Sequence, residues 1–292
     1  MAPAKTHRFK ARKAQAGQRL DIVLAAQLPR YSRQFLAGQI KTGRVSIDGR
    51  TVRLPKTKVR VGQVIKAALE SPHTSLVPQP LKLDIIHQDS DIAVVNKPPG
   101  LVMHPAGHHQ RGTLANALKA QFPTFYLVHR LDKDTSGVVV VALTEKVKDF
   151  LSRLFEQRRV NKTYIALLTG KITPREAYID LPIKRGRSAK FEVLPGGREA
   201  TSFYRVKEYI GRRYSLVEVK PQSGRTHQIR VHFKAINHPV VGDITYGRAE
   251  MGLPRQFLHA SQLEFTDWNN HKRQFTAPLP YDLSKFLDDA KR

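Results

Sequence analysis

The sequence predicts an α+β fold with a mixed or antiparallel sheet, preceded by a small domain of two helices and a strand. Two helical apolar patterns and a hairpin signal occupy the first part of the chain. A segment with three prolines follows at residues 71–80, and short strand-like runs with occasional helical patterns fill the remainder. The predicted organisation is a domain at residues 1–70, a linker at 71–80 and a larger domain at 81–292.

The first predicted domain has an αα-β order. Ser32 is placed to cap the second helix, Gly43 to end it in the left-handed conformation, and residues 44–49 to form a strand that enters an Asp-Gly turn. The apolar faces of the two helices comprise Leu20, Val23, Leu24 and Leu28 in the first and Phe35, Leu36 and Ile40 in the second.

The larger domain is predicted to contain more strands than helices, which favours the α+β class. Gly196-Gly197 indicates a turn between two of the strands. The predicted strands are residues 92–95, 138–143, 164–168, 202–206 and 215–220, and the predicted helices are built on residues 147–155 and 229–236.

The chain carries a formal net charge of +26, from 50 Lys and Arg against 24 Asp and Glu. Residues 1–70 hold 16 of the basic and 3 of the acidic residues, so half of the excess lies in a quarter of the chain. Basic side chains release counterions from a polyphosphate, which drives binding to nucleic acids. The first domain is therefore predicted to be a nucleic-acid-binding module rather than only a charged, soluble surface.

Composition excludes several functional classes. No run of about eighteen or more apolar residues is present, so no membrane-spanning helix is expected. The basic residues 1–19 lack the apolar region of a secretory signal, although a mitochondrial transit peptide stays open. The absence of cysteine excludes disulfides, thiolate nucleophiles and Cys-based zinc sites, and it is compatible with the cytoplasm. His104, His108 and His109 lack a carboxylate at ligand spacing, so no metal site is predicted.

The most informative segment is His129–Gly137, which places an imidazole, two carboxylates, two cations and two hydroxyls before the apolar run at residues 138–141. Polar groups at the mouth of a buried strand are well placed to meet a ligand. The segment is similar to the HRLDxxTSG signature of the RluA-type pseudouridine synthase family. Further blocks match in the family's order: residues 96–101 with His104-Pro105, residues 162–164, residues 223–232, and His238-Pro239 with Gly242-Asp243.

The first domain resembles the alpha-L RNA-binding motif of a small-subunit ribosomal protein. That motif is short and loosely patterned, and a generic basic αα-β cap has the same pattern. The resemblance implies that the basic residues around its small core contact RNA. The candidates are Arg30, Arg33, Lys41 and Arg44.

The family resemblance implies an isomerase that converts uridine in RNA to pseudouridine and needs no cofactor. The target base must leave its helix to be reached. Asp132 is the candidate carboxylate, which either attacks C1′ of the sugar or removes a proton from C2′. Arg225 is the candidate partner that holds this carboxylate in a fixed geometry. Tyr164 is the candidate stacking residue and proton relay, whereas Asp134 is predicted to cap a turn.

The resemblance also implies RNA contacts around the site. Arg130 is expected to fill the place that the target base leaves in the stack, or to bind a phosphate. The residues expected to support the site, either by contacting RNA or structurally, are His129, Thr135, Gln228 and Arg230.

The implied partner is large-subunit ribosomal RNA or its precursor particle, with transfer RNA as the alternative substrate and neither a membrane nor a nucleotide cofactor involved. A non-catalytic RNA-binding or ribosome-assembly protein would explain the charge but not the joint presence of the three catalytic candidates. A glycosidase acting on a small molecule would leave the charge of +26 unexplained. The target uridine, the number of sites and the oligomeric state stay open.

Overall fold

The computed structural model describes residues 5–29, 31–69, 76–105, 111–186, 188 and 190–292. The chain divides into two compact units, Met1–Leu76 (the N-terminal unit) and Val77–Arg292 (the C-terminal unit). Of the expected linker, residues 71–75 lie outside the described residues, and residues 76–80 contain no helix or strand. The Asn116 side-chain amide donates to the Val77 carbonyl at 2.8 Å, which ties the end of this segment to the C-terminal unit.

The N-terminal unit is a four-stranded antiparallel sheet packed against two helices. The sheet order is β1-β4-β2-β3. The largest fully buried side chains are leucines and isoleucines of the two helices and of β4. Its elements are β1 (Lys5–Lys10), a 3-10 turn (Lys13–Gln15), α1 (Leu20–Gln27), α2 (Arg33–Lys41), β2 (Val45–Ile47), β3 (Arg50–Val52) and β4 (Val64–Leu69).

Local signals in this unit behave as the sequence predicts. The Ser32 hydroxyl accepts a hydrogen bond from the Phe35 amide at 3.2 Å and caps α2. Gly43, Asp48 and Gly49 have φ of 79°, 49° and 79°, as a helix end and a tight Asp-Gly hairpin turn require. The prediction omits β1 and β4, because these strands pair with partners that are distant in sequence and local patterns do not reveal such pairing.

The C-terminal unit is built on one long mixed sheet. Its strands are β5 (Asp84–Gln88), β6 (Ile92–Lys97), β7 (Tyr126–Leu127), β8 (Ser136–Ala142), β9 (Asn161–Thr169), β10 (Glu176–Asp180), β11 (Ile183–Arg185), β12 (Phe191–Val193), β13 (Thr201–Ile210), β14 (Tyr214–Pro221), β15 (Leu258–Thr266) and β16 (Lys272–Thr276). Its helices are α3 (Leu114–Gln121), α4 (Glu145–Glu156), α5 (Gln228–Ala235) and α6 (Tyr281–Lys291).

The order of strands places β8, β15 and β9 side by side at the centre of the sheet. The path runs β10-β13-β14-β9-β15-β8-β6-β5, with β16 beside β15 and β7 beside β8, while β11 and β12 form a separate hairpin. The β8–β15 pair is parallel, and the other pairs of the described sheet are antiparallel. The predicted α+β class with a mixed sheet is confirmed.

Helices cover both faces of this sheet. Apolar residues of α3 and α4 pack against opposite faces of β6 and β8, and those of α5 and α6 against opposite faces of the β9–β14 region. Strand β8 is buried along its whole length, which explains its run of apolar residues at 138–142. No helix in the described part of the chain is long and apolar enough to cross a membrane.

Candidate active site

The predicted site residues of the C-terminal unit line one pocket of about 500 Å³. Its walls are the loop that precedes β8, the end of α4, the start of β9, and the turn between β14 and α5. The predicted residues that line it are His129, Arg130, Asp132, Thr135, Tyr164, Arg225, Gln228 and Arg230.

Asp132 lies in the loop before β8, with its side chain 17% exposed. A backbone turn, closed by the Thr135 amide and the Asp132 carbonyl at 3.1 Å, presents the carboxylate to the pocket. Its Oδ2 accepts a hydrogen bond from Nη1 of Arg230 at 3.2 Å, and its Oδ1 lies 3.8 Å from Nε2 of His227. One carboxylate oxygen is therefore tied to a guanidinium, and the other is left for a ligand.

Arg230 bridges two carboxylates. Its Nε and Nη2 donate to both oxygens of the fully buried Asp243 at 2.6 and 2.8 Å, which is the bidentate geometry of strong guanidinium–carboxylate pairs. Burial alone would lower the pKa of Arg230, but the hydrogen bonds and charge of Asp243, with a further contribution from Asp132, raise it above its ordinary value. Asp132 is thus paired with a guanidinium that stays charged and is fixed in place by its two hydrogen bonds to Asp243.

The structure corrects the prediction that Arg225 is the partner of Asp132. Arg225 lies in the turn before α5, and its Nε donates to the Glu199 carbonyl at 3.0 Å. Arg230, five residues later, projects from α5 toward the loop of Asp132. The physical reason is the local backbone: the turn directs Arg225 along the pocket wall, whereas one turn of helix brings Arg230 to the carboxylate.

Tyr164 lies on β9 beside Asp132 and packs against two of the apolar clusters under the pocket. Burial, and then the charge of Asp132, raise the pKa of its hydroxyl well above the ordinary value. The phenol therefore keeps its proton at neutral pH, with an aromatic face and a hydroxyl available in the same pocket.

Among the expected supporting residues, Arg130 and His129 have different surroundings. Arg130 is exposed at the pocket mouth. His129 instead stacks on Phe155 with ring centroids 4.8 Å apart, and its Nε2 accepts the Val140 amide proton at 2.9 Å. Burial, with the charge of Lys162, lowers the pKa of His129 to about 3, so the ring stays neutral.

Thr135 and Gln228, for which either RNA contact or structural support is expected, are both hydrogen-bonded within the protein. The Gln228 amide is buried; it accepts from the Ser223 hydroxyl at 2.7 Å and the Arg225 amide at 3.0 Å, and it donates to the Thr201 carbonyl at 2.9 Å. Thr135 is buried as well, and its hydroxyl accepts from the Gln256 side chain at 3.3 Å. Both residues brace the walls of the pocket from behind, because their polar atoms are satisfied within the protein.

Lys97, which the prediction did not count as a site residue, supports the loop of Asp132. Its fully buried Nζ donates to the carbonyls of Pro98, Leu101 and Lys133 at 2.8 to 3.0 Å. Burial lowers its pKa to about 7, against an opposing effect of the Asp134 charge. The Asp134 carboxylate, expected to cap a turn, makes no hydrogen bond with the described part of the chain.

Further residues missed by the prediction are Asp243, His227 and Lys162, all of which lie inside the matched sequence blocks. The Tyr246 hydroxyl lies 2.8 Å from Nδ1 of His227, and burial lowers the pKa of this imidazole against the raising effect of Asp132. The matched blocks were a usable signal for these residues, but only the fold brings their side chains together.

The RNA-binding candidates of the N-terminal unit have different surroundings. The buried carboxylate of Asp21, on α1, forms ion pairs with both Arg19 and Arg33 at 2.9 Å. Because Arg33 lies on α2, its guanidinium connects the two helices. Lys41 is exposed in the last turn of α2, and Arg44 is partly buried just before β2. Arg30, and the His108 and His109 of the rejected metal hypothesis, lie outside the described residues.

Each of the two units matches a different family model. The family model described as RNA pseudouridylate synthase matches residues 91–235, and the S4 domain model matches residues 18–65. A ribosomal large subunit pseudouridine synthase D of Pseudomonas aeruginosa is 40% identical over 291 residues, which covers 91% of this chain and 90% of the relative. An uncharacterized RNA pseudouridine synthase of Chloroflexus aurantiacus is 42% identical over 287 residues, covering 94% and 90%.

A solved structure agrees with these matches. The human RNA pseudouridylate synthase domain containing 1 superimposes with a TM-score of 0.59 at 29% identity, and the similarity covers 73% of this chain and 96% of that one. Fold, pocket and sequence matches together define an RNA-modifying isomerase. The chain belongs to the RNA pseudouridylate synthase family, whose enzymes convert uridine in RNA to pseudouridine.

Proposed function

We propose that this enzyme isomerises uridines of large-subunit ribosomal RNA in the cytoplasm, with Asp132 as its catalytic carboxylate. One observation carries the assignment of the site: Asp132 is anchored through Oδ2 to Arg230, inside a pocket that also presents Tyr164. The choice of RNA is supported by relatives named as ribosomal large subunit pseudouridine synthase D, of which one from Yersinia pestis is 36% identical over 303 residues.

The reaction exchanges one bond of C1′ for another. The bond from C1′ to N1 of uracil breaks and the bond from C1′ to C5 forms, while a proton leaves C5 and one is gained at N1. Asp132 either attacks C1′ or removes a proton from C2′. Because Arg230 occupies Oδ2, the oxygen that meets the sugar is Oδ1.

Tyr164 provides a surface for the detached base. An aromatic face binds an unstacked base with little sequence preference. The raised pKa of the hydroxyl keeps it a proton donor rather than an anion beside Asp132. Arg130 and Arg225 contact the RNA strand at the rim, whereas His129, Thr135 and Gln228 hold the pocket walls in place.

The N-terminal unit supplies affinity rather than chemistry. Its S4 domain match and its share of the basic residues support phosphate contacts, through Lys41 and Arg44 among others. Phosphate contacts position a protein on RNA without performing the reaction.

The test uses unmodified transcripts of large-subunit ribosomal RNA and of transfer RNAs, incubated with the full-length protein. We expect pseudouridine, measured by nucleoside mass spectrometry, in the ribosomal transcript and not in the transfer RNAs. Product in the transfer RNAs alone would reassign the substrate.

Asp132→Asn keeps the size of the side chain but removes its charge, and we expect it to lower the single-turnover rate by more than about 1000-fold. Asp134→Asn, two residues away with its carboxylate unbonded, is the matched control and should stay within about threefold of wild type. An Asp132→Asn enzyme that turns over within about tenfold of wild type would remove Asp132 from the chemistry.

A further inference from the structure

Lys162 is a cation in the pocket that has no acidic partner among the described residues. It lies near the start of β9, is partly buried, and lines the same pocket as Asp132. Its Nζ donates to the Ser223 carbonyl at 3.2 Å, and no carboxylate lies within ion-pair distance in the part of the chain that the structure describes. Arg230, the other buried cation here, has two carboxylates. A partly desolvated charge without a counterion is costly, so Lys162 is prepared for an anion from outside the protein.

The groups around Lys162 increase this cost. Arg158, which ends the turn after α4 with φ of 59°, lines the same wall, and no ion pair holds it among the described residues. Glu156 also lines the pocket but pairs with neither cation within ion-pair distance. Burial, and then the charge of Arg158, lower the pKa of Lys162 to about 8. Of the other titratable groups that line the pocket, His129 is neutral and Tyr164 keeps its proton. The rest are Arg130, Asp132, Arg225, His227 and Arg230.

We propose that Lys162, with Arg158 beside it, binds a backbone phosphate adjacent to the target uridine. Residues i and i+2 of a strand point to the same side at a spacing of about 6.7 Å, so Lys162 and Tyr164 form neighbouring subsites along one strand face. The proposal rests on the proposed function, which places the target base against Tyr164. It adds the residue that takes the next charged group of the RNA strand, which carries one negative charge in every nucleotide.

The subsite predicts a dependence of RNA affinity on pH. A phosphate binds only the protonated amine, so affinity is full below about pH 8, where free Lys162 is charged, and falls as pH rises above that value. Lys162→Arg keeps the charge at all these pH values. We expect wild-type affinity to fall by up to about tenfold between pH 8 and pH 9, and that of Lys162→Arg to stay flat over the same range.

The decisive experiment is a binding cycle with a nine-nucleotide RNA that contains a single central uridine. The phosphates on either side of the uridine are replaced, one at a time, by neutral methylphosphonates. For wild type we expect one replacement to weaken binding by about tenfold, as expected for a charge-assisted hydrogen bond. Lys162→Met should lose the same factor with the normal RNA and be insensitive to that replacement. Lys207→Met, an exposed lysine of β13 outside the pocket, is the matched control and should keep the full sensitivity.

A second measurement reads Lys162 directly in the full-length protein. Acetylation at pH 8, mapped by peptide mass spectrometry, should modify Lys162 in the free enzyme and be blocked by the normal RNA but not by the methylphosphonate RNA. If Lys162→Met remains as sensitive to the replacement as wild type, or if neither RNA protects Lys162, the phosphate subsite is wrong. Neither measurement needs turnover, so a failure of the enzyme to form pseudouridine would count against the proposed function alone.

Discussion

The guanidinium of Arg230 donates hydrogen bonds to two carboxylates, one buried and one facing the pocket. Two N–H groups hold the buried Asp243, and a third holds the pocket-facing Asp132. The planar fork of arginine can satisfy both at once, which a single ammonium group cannot. Asp132 is thereby held through Oδ2, while its Oδ1 stays free of hydrogen bonds within the described residues.

Arg230→Lys tests this arrangement at the residue scale. The ammonium group keeps the charge but cannot reach both carboxylates in the same geometry, so we expect the single-turnover rate to fall by more than about tenfold. Because Asp243 loses part of its buried partner, the free energy of unfolding should fall by about 3 kcal/mol.

The matched control is Arg225→Lys. In the described chain, the wild-type guanidinium of Arg225 is hydrogen-bonded only to the Glu199 carbonyl. We expect this variant to keep the stability and nearly the rate of wild type. Equal losses of rate in the two variants would contradict the assignment of Arg230 as the partner of Asp132. Urea denaturation and single-turnover kinetics provide the two measurements.

At the element scale, the parallel pair of β8 and β15 determines where the loop of Asp132 ends. Gly137 on β8 has φ of 117°, and a Cβ atom there would collide with the backbone of Ala260 on β15. Opposite Tyr164, a bulge in β15 between Ala260 and Gln262 changes the register. Close backbone approach and a bulge next to the pocket are the kinds of irregularity that re-aim functional side chains.

Helix α6, near the end of the chain, is connected to the loop of Asp132 through Arg255. The buried Arg255 donates to the Asp134 carbonyl at 3.0 Å and to the Ser136 hydroxyl at 3.3 Å. Both oxygens of Asp282, in the first turn of α6, hold this guanidinium at 2.6 and 3.0 Å. Helix α6 is therefore connected to the loop of Asp132 through one side chain.

Asp282→Asn tests this connection. An amide has one acceptor oxygen, whereas Arg255 donates to two oxygens of Asp282. We therefore expect the loop of Asp132 to become less rigid. The single-turnover rate should fall by about three- to tenfold, with little change in RNA affinity. Asp289→Asn is the control, because Asp289 lies on the same helix and pairs with Lys285 at the surface, and it should leave the rate unchanged. A rate for Asp282→Asn equal to that of the control would show that α6 does not influence the loop.

At the scale of the whole molecule, we expect the charge of +26 to set the salt dependence of RNA binding. Every phosphate that a lysine or arginine neutralises releases counterions, so the affinity depends steeply on salt. Half of the net charge lies in the N-terminal unit, which is about a quarter of the chain, whereas the pocket belongs to the C-terminal unit. We therefore expect substitutions in the N-terminal unit to change RNA affinity more than the rate of the chemical step.

Replacing Lys41 and Arg44 by Gln should change the salt dependence and leave the chemistry intact. We expect the slope of log K against log salt concentration to become shallower by about 0.7 to 0.9 for each contact removed. The single-turnover rate at saturating RNA should stay within about twofold of wild type. Replacing Lys82 and Lys207, exposed lysines of the C-terminal unit outside the pocket, is the control. A loss of maximal rate with an unchanged slope would contradict the proposed division of labour.

Local signals let the sequence determine much of this protein. The Ser32 cap, the Asp48-Gly49 turn and the apolar run of β8 depend on neighbouring residues, and they appear in the structure where the patterns predict them. The motif around Asp132 predicted a pocket residue for the same reason, because its polar groups directly precede a buried strand.

Only the tertiary structure decided which cation meets Asp132. Arg225 and Arg230 are five residues apart, and their partner lies about a hundred positions earlier in the chain, so spacing cannot rank them. The pairing of β8 with β15 and the packing of α5 bring Arg230 to the carboxylate. Lys162 instead meets the Ser223 carbonyl, and it has no carboxylate partner in the part of the chain that the structure describes. Contacts of this kind depend on the direction in which distant elements project their side chains, and that direction exists only once the sheet has formed.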